Sequence, residues 1–249
     1  MTSSPAVSPN PNLPDIFSLQ AVLFDLDGVL TPTADVHMVA WGELFIPVLE
    51  RHGVAPYVED DYFAYVDGKP RYEGVASLLA ARGIEIPYGE PTDEPGAETV
   101  CGLGNLKNEL FNTLLSRDGV TPYAGSMALV HALKQQGIEV AVVSSSRNAH
   151  QVLQAAGIDH EFEVVVEGRL AAERGVVGKP APDTYLYAAN MLGLDHTQCA
   201  VVEDAESGVQ AGRAGNFALV VGVDRGAGAQ ALLDNGADLV VNDLAELLP

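Results

Sequence analysis

AVLFDLDGVLTPT, residues 21–33, runs four apolar residues straight into Asp25, Leu26, Asp27 and Gly28. A short apolar run of this kind reads as a strand buried on both faces, as parallel sheets carry. Residues two apart on a strand point to the same side, so this reading puts the Asp25 and Asp27 carboxylates together at the strand's end. Two such groups at close range repel, and one takes up a proton unless a cation intervenes. Mg²⁺ suits the position, because it takes oxygen ligands, often one or two carboxylates with substrate phosphate and water. Gly28 lets the backbone turn sharply and lets a ligand approach it closely. By itself a D-x-D pair equally fits a solvated strand end or a helix cap formed by Asp27.

The pair does not stand alone. AVVEDAESG, residues 200–208, repeats the design: an apolar strand ends in Glu203 and Asp204. Four carboxyl groups at neighbouring strand tips are tolerable only around a metal ion, which makes Asp25, Asp27, Glu203 and Asp204 the candidate metal residues. VAVVSSSRNA, residues 140–149, ends a third strand in Ser144, Ser145, Ser146, Arg147 and Asn148. Hydroxyls and backbone N–H groups at a helix N-terminus form a phosphate site, although a Ser-rich turn with an ordinary cap has the same composition. In GKPAPD, residues 178–183, Lys179 stands at a helix start, where a cation is disfavoured unless an anion fixes it; a plain surface lysine is the alternative.

Buried-strand patterns recur at 21–27, 139–145, 163–166, 200–204, 218–223 and 238–241. From the second onward, helical patterns at 148–156, 183–192, 207–214 and 228–235 separate most of them. This alternation predicts an open parallel α/β sheet covered on both faces, which binds ligands at the carboxyl ends of its strands. Residues 34–119 differ. They show helical patterns at 34–51, 73–81 and 105–117, no clear buried strand, and a Gly/Pro-rich acidic loop, PYGEPTDEPGAETVCGLG. The chain is therefore expected to make one strand, leave for a helical insertion, and return: a flexible tail at 1–19, a core at 20–33 and 120–249, and a helical domain at 34–119. The acidic cluster VEDDYF, residues 58–63, reads as solvated surface.

Thirty-four Asp and Glu against 13 Lys and Arg give a formal net charge of −21. Nucleic acid and anionic membrane partners need cations to replace phosphate counterions, so neither is expected. An anionic substrate needs only a local nest of cations. Cys101 and Cys199 show no metal spacing and no disulfide framework, which points to a reducing cytoplasm. No apolar run reaches the roughly 18–20 residues of a membrane span, and the start of the sequence, MTSSPAVSPNPNLPD, has no apolar segment of a signal peptide. GLGN and RGAG lack the spacing of a nucleotide loop.

Taken in order, Asp25-x-Asp27, Ser144, Lys179 and Glu203-Asp204 resemble the four motifs of the haloacid dehalogenase superfamily of phosphotransferases, over about residues 21–241. FDLDGVLTPTADVHMVAW, residues 24–41, is similar to the start of the β-phosphoglucomutase-like branch, including Thr33, His37 and Trp41. VDGKPRYEGV, residues 66–75, resembles that branch's cap segment, with Gly68 and with Arg71 as holder of a distal phosphate. LKNE supplies Lys107 and Asn108 at substrate positions. Two departures stand out: Arg147 replaces a Lys, and Pro32 replaces an Asp. His37 and Trp41, four apart on a helix, also fit a packing stripe.

The resemblance implies a Rossmann-like parallel-sheet core with an inserted α-helical cap. It implies an Mg²⁺-dependent mutase interconverting β-glucose 1-phosphate and glucose 6-phosphate through an aspartyl phosphate and the 1,6-bisphosphate, with a trace of that bisphosphate as activator. Asp25 is then the nucleophile and Asp27 the general acid and base. Asp25, the Asp27 backbone oxygen, Asp204 and Glu203 serve the metal, and Lys179 and Ser144 orient the phosphoryl group. The partner is a small phosphorylated sugar, and the expected state is a monomer, alternatively a dimer. A sugar-phosphate phosphatase and a non-catalytic sugar-phosphate-binding module are the competing readings.

Overall fold

The computed structural model describes residues 13–249. It divides into two compact units, one made of the chain up to Thr31 together with Pro122–Pro249, the other of Pro32–Thr121.

The first unit carries six parallel strands: β1 Ala21–Phe24, β2 Glu139–Val143, β3 Val164–Val166, β4 Cys199–Glu203, β5 Leu219–Val223 and β6 Leu239–Val241. Their order across the sheet is β3-β2-β1-β4-β5-β6. Apolar residues of both alternations, such as Val22 and Leu23 on β1 or Ala141 and Val142 on β2, are buried. Double burial explains why these strands read as continuous apolar runs. β1 lies where the order reverses, with β2 on one side and β4 on the other. Phe24 pairs with Val142 and with Val202, so the chain segments that follow β1, β2 and β4 leave the sheet at one edge. That crevice is where open α/β sheets bind ligands. Helices complete the unit: α5 Ala124–Gln135, α6 Ala149–Ala156, α7 Gly168–Arg174, α8 Asp183–Met191, α9 Glu206–Ala214 and α10 Ala229–Asp234. α8 packs against β1, β2 and β3, and α9 against β4 and β5.

The second unit is helical: α1 Thr33–Arg51, α2 Glu59–Tyr65, α3 Arg71–Ala81 and α4 Val100–Asp118. Its core is built from Trp41, Leu44, Phe45 and Val48 of α1 with Tyr62, Val75, Leu78, Leu79 and Leu103. Among the described residues no helix is long and apolar enough to cross a membrane.

Four expectations need correction. The tail at 1–19 lies largely outside the described residues, but its last part is ordered. Asp15 caps a 3₁₀ turn at Ile16–Ser18, Ile16 is buried, and Gln20 N donates to Gln198 O at 2.9 Å. VEDDYF is not wholly solvated: Asp61 in α2 is buried and takes the Arg82 guanidinium at 2.5 and 2.6 Å. α4 starts five residues earlier than its periodicity suggests. Thr99 Oγ1 caps it, accepting from Gly102 N at 2.9 Å, and the residues read as loop glycines serve close packing instead. A Cβ on Gly104 would meet the Tyr72 ring and the Arg71 side chain. Finally, β1 ends at Phe24, so Asp25 and Asp27 lie in the following turn rather than on the strand.

Candidate active site

The turn after β1 is fastened at almost every residue. Asp25 N donates to Val202 O at 2.9 Å, holding the start of the turn on β4. Gly28 adopts φ +84, a left-handed value that suits glycine, and a Cβ there would land on the Asp204 carboxylate. Gly28 N donates to Thr31 O at 2.7 Å, and Thr31 N donates to Leu26 O at 3.0 Å. Ser126 Oγ donates to Val29 O at 2.6 Å. Arg225, two residues beyond β5, donates through Nε to Gly28 O at 3.0 Å and through Nη1 to Asn242 O at 2.9 Å. Its guanidinium lies 3.9 Å from the Tyr123 ring centroid.

Lys179 is the centre of the charge arrangement. Its side chain is 2% exposed, and Nζ donates to Asp25 Oδ1 and Glu203 Oε1, each at 2.5 Å. A third bond runs to Val143 O at 2.9 Å. Burial acts to strip the proton from this amine, but Asp25 and Glu203 outweigh it and hold the group above the ordinary lysine range. Burial also pushes the Asp25 carboxyl well above its ordinary value; Lys179 opposes this, while the charges of Glu203 and Asp27 add to it. Asp27 is half-buried, with Ser144 Oγ 3.5 Å from its Oδ2, a weak bond by its length.

Asp25, Glu203 and Asp204, all buried, offer carboxylate oxygens within 4.8 Å of one another. Three carboxylates face one lysine there, and the donors are hard oxygens. That set fits a divalent cation such as Mg²⁺. Glu203 is engaged by the protein on both oxygens: besides Lys179, Tyr185 Oη donates to its Oε1 at 2.7 Å, and Ala205 N donates to its Oε2 at 3.3 Å. Ser144 is buried at the end of β2 with its N–H on Val166 O at 2.9 Å. Ser146 N donates to Ser144 Oγ at 3.0 Å, and Asn148 N to Ser146 Oγ at 3.1 Å. Ser146 thus closes a local turn ahead of α6, whose cap residue Asn148 makes no side-chain capping bond, and Arg147 is exposed.

In the helical unit the singled-out residues form two groups. Lys107 of α4 is buried; its Nζ contacts His37 Nδ1 and lies 4.8 Å from the Trp41 and 4.9 Å from the Phe111 ring centroid. His37 stacks on Phe111 at 4.1 Å and 9°. His37 and Trp41 are thus packed, as a stripe would be, and also gathered around a cation. In the second group, Arg71 Nη2 donates to Asn108 Oδ1 at 2.7 Å. Thr33, buried, opens α1, and Gly68 turns the chain with φ +68 before α3.

Sequence reasoning missed Tyr185, Arg225 and Phe111. Tyr185 and Phe111 sit in helical patterns where an aromatic reads as core, so nothing marked them. Arg225 carried a signal: it is one of few cations, and it follows a strand tip.

The profile of haloacid dehalogenase-like hydrolases matches residues 19–216. A β-phosphoglucomutase of Mycobacterium bovis is 49% identical over 256 residues, covering 96% of this chain and 98% of its own. Hexitol phosphatase A of Escherichia coli is 32% identical over 231 residues, covering 90% of this chain and 91% of its own. Among solved structures, a β-phosphoglucomutase of Clostridium difficile superposes with a TM-score of 0.76 at 26% identity, covering 92% of this chain and 93% of that one.

Proposed function

Because the chain belongs to the haloacid dehalogenase-like hydrolase family, we propose that it is a phosphosugar mutase that interconverts β-glucose 1-phosphate and glucose 6-phosphate. The observation that carries this reading is Lys179 held between Asp25 and Glu203, beside Asp204, at the reversal point of the sheet. It is what a carboxylate nucleophile for an anionic phosphorus centre requires. The 49% identity to a β-phosphoglucomutase supports the choice of sugar.

In the proposed reaction an Asp25 oxygen attacks phosphorus, the bond to the sugar oxygen breaks, and an aspartyl phosphate forms. Asp27 gives its proton to the leaving oxygen and takes one from the hydroxyl that accepts the phosphoryl group in the second half. Lys179 and the Ser144 hydroxyl orient the group and offset its charge, the main task in phosphoryl transfer. Asp25, the Asp27 backbone oxygen and Asp204 would hold Mg²⁺, which supplies further charge stabilisation when bound. Arg71, steadied by Asn108, is the proposed ligand of the phosphate that is not being transferred, with Lys107 and His37 as contacts to the sugar. The 1,6-bisphosphate is then both intermediate and activator, because a trace of it phosphorylates Asp25.

The second reading, a sugar-phosphate phosphatase, rests on the 32% identity to hexitol phosphatase A. One assay separates the two: incubation with β-glucose 1-phosphate, Mg²⁺ and a trace of the 1,6-bisphosphate, following glucose 6-phosphate and inorganic phosphate together. Accumulation of glucose 6-phosphate is expected. Predominant release of phosphate would replace the mutase with the phosphatase.

A further inference from the structure

We propose that Tyr185 is a positioning residue for phosphoryl transfer, its hydroxyl fixing the Glu203 carboxylate so that Lys179 stays aimed at Asp25. The inference rests on the reading of Asp25 and Lys179 given above.

Tyr185 is fully buried in α8. Its hydroxyl lies 2.7 Å from Glu203 Oε1, the same oxygen that Lys179 Nζ reaches at 2.5 Å. Lys179 Nζ stands 5.0 Å from the centroid of the Tyr185 ring, and the ring is itself set edge-on against Phe217 at 6.0 Å. One side chain therefore touches both members of the Glu203–Lys179 pair, through its hydroxyl and through its ring.

The ammonium is shared between two carboxylates at equal distance, 2.5 Å to Asp25 Oδ1 and 2.5 Å to Glu203 Oε1. In a dry, low-dielectric site such a division is sensitive to every other bond the two acceptors make. The Tyr185 proton satisfies part of the demand of Glu203 and weakens its pull on Lys179. A phenyl ring would fill the same space and supply no proton. The hydroxyl is thus what packing alone does not explain, since a buried phenol is costly unless its O–H has a partner.

Tyr185→Phe removes the hydroxyl and keeps the ring, so the test separates positioning from packing. The expected result is a fall in kcat of about tenfold, the loss of one hydrogen bond to a charged group. It should appear both on the sugar phosphate and on 4-nitrophenyl phosphate, with KM within about twofold of the parent. A crystal structure of the variant should show Lys179 Nζ drawn from Asp25 toward Glu203. Undiminished kcat, or a Lys179–Asp25 contact unchanged in that structure, overturns the proposal. The crystallographic arm needs no turnover: a parent protein inactive on sugar phosphates would end the mutase reading, while the place of Lys179 in the variant would still decide the role of Tyr185.

Discussion

Asp25 and Asp27 are two residues apart and live in different surroundings. Asp25 is buried against Lys179, whereas Asp27 is half-buried, with the Ser144 hydroxyl at 3.5 Å from its Oδ2. Different environments are how two carboxyl groups acquire different tasks. The Lys179 contact opposes the burial that favours the protonated form of Asp25, which suits the nucleophile proposed above, and the more open Asp27 suits the proposed exchange of protons with a substrate oxygen. Asp25→Asn should therefore lower turnover by at least about a thousandfold on every phosphate ester and abolish the phosphoenzyme, as loss of a covalent nucleophile does. Asp27→Asn should discriminate. On a sugar phosphate, whose leaving oxygen needs a proton, the loss should be about 10²–10⁴-fold. On 4-nitrophenyl phosphate, whose leaving group departs without one, phosphorylation of Asp25 should be far less affected. The rate of the first-turnover burst of 4-nitrophenolate checks this, and a burst slowed as much as phosphoryl transfer from the sugar phosphate would take Asp27 out of protonating the leaving group.

At the scale of elements, the strands were the most legible part of the chain. All six lie within one or a few residues of their apolar runs, because burial on both faces leaves a pattern without polar interruption. The helical unit was less legible. α2 was hidden by its acidic surface residues Glu59 and Asp60, which mask the buried Asp61–Arg82 pair. The start of α4 was hidden by glycines that serve close packing. At the site, the acidic residues and Lys179 announced themselves by charge at strand tips. Arg225 carried the same kind of signal, a cation after a strand tip, but no motif pointed to its contact, which is with a backbone oxygen. That contact carries a prediction. Arg225 joins the loop after β5 to Gly28, next to Asp27 in the turn. Arg225→Ala should loosen the turn and misplace Asp27, lowering kcat by about 10–100-fold, the scale of a misplaced catalytic group, with little change in KM. Arg225→Lys keeps the charge but not the fork of donors that reaches both Gly28 and Asn242, so it should recover little. An unaltered kcat in Arg225→Ala would mean that the remaining turn bonds suffice.

At the scale of the whole molecule the formal net charge of −21 sets the problem that the site must meet. The protein holds Asp25, Glu203 and Asp204 in a buried cluster with Lys179, and in the absence of a metal ion burial raises the carboxyl of Asp25 well above 3.8. A raised folded value means that the folded state binds the proton more tightly than the unfolded chain. This contribution to stability is present in full below the unfolded value and is lost as pH rises through the folded one. A divalent cation held by this cluster, as proposed above, would compete for the same oxygen, so its stabilising effect should grow over the same window. Thermal denaturation with EDTA and with saturating Mg²⁺, from pH 4 upward, should give a Mg²⁺-dependent increment that is small in acid and increases with pH. At a hundred times its dissociation constant, the ion should contribute about 2.7 kcal/mol. In Asp25→Asn the part of this pH dependence that belongs to Asp25 should vanish, leaving a shallower rise. EDTA should also abolish turnover and added Mg²⁺ restore it. An increment that is flat with pH in the parent would show that the cation does not meet Asp25, and the assignment of the metal to this cluster would fall.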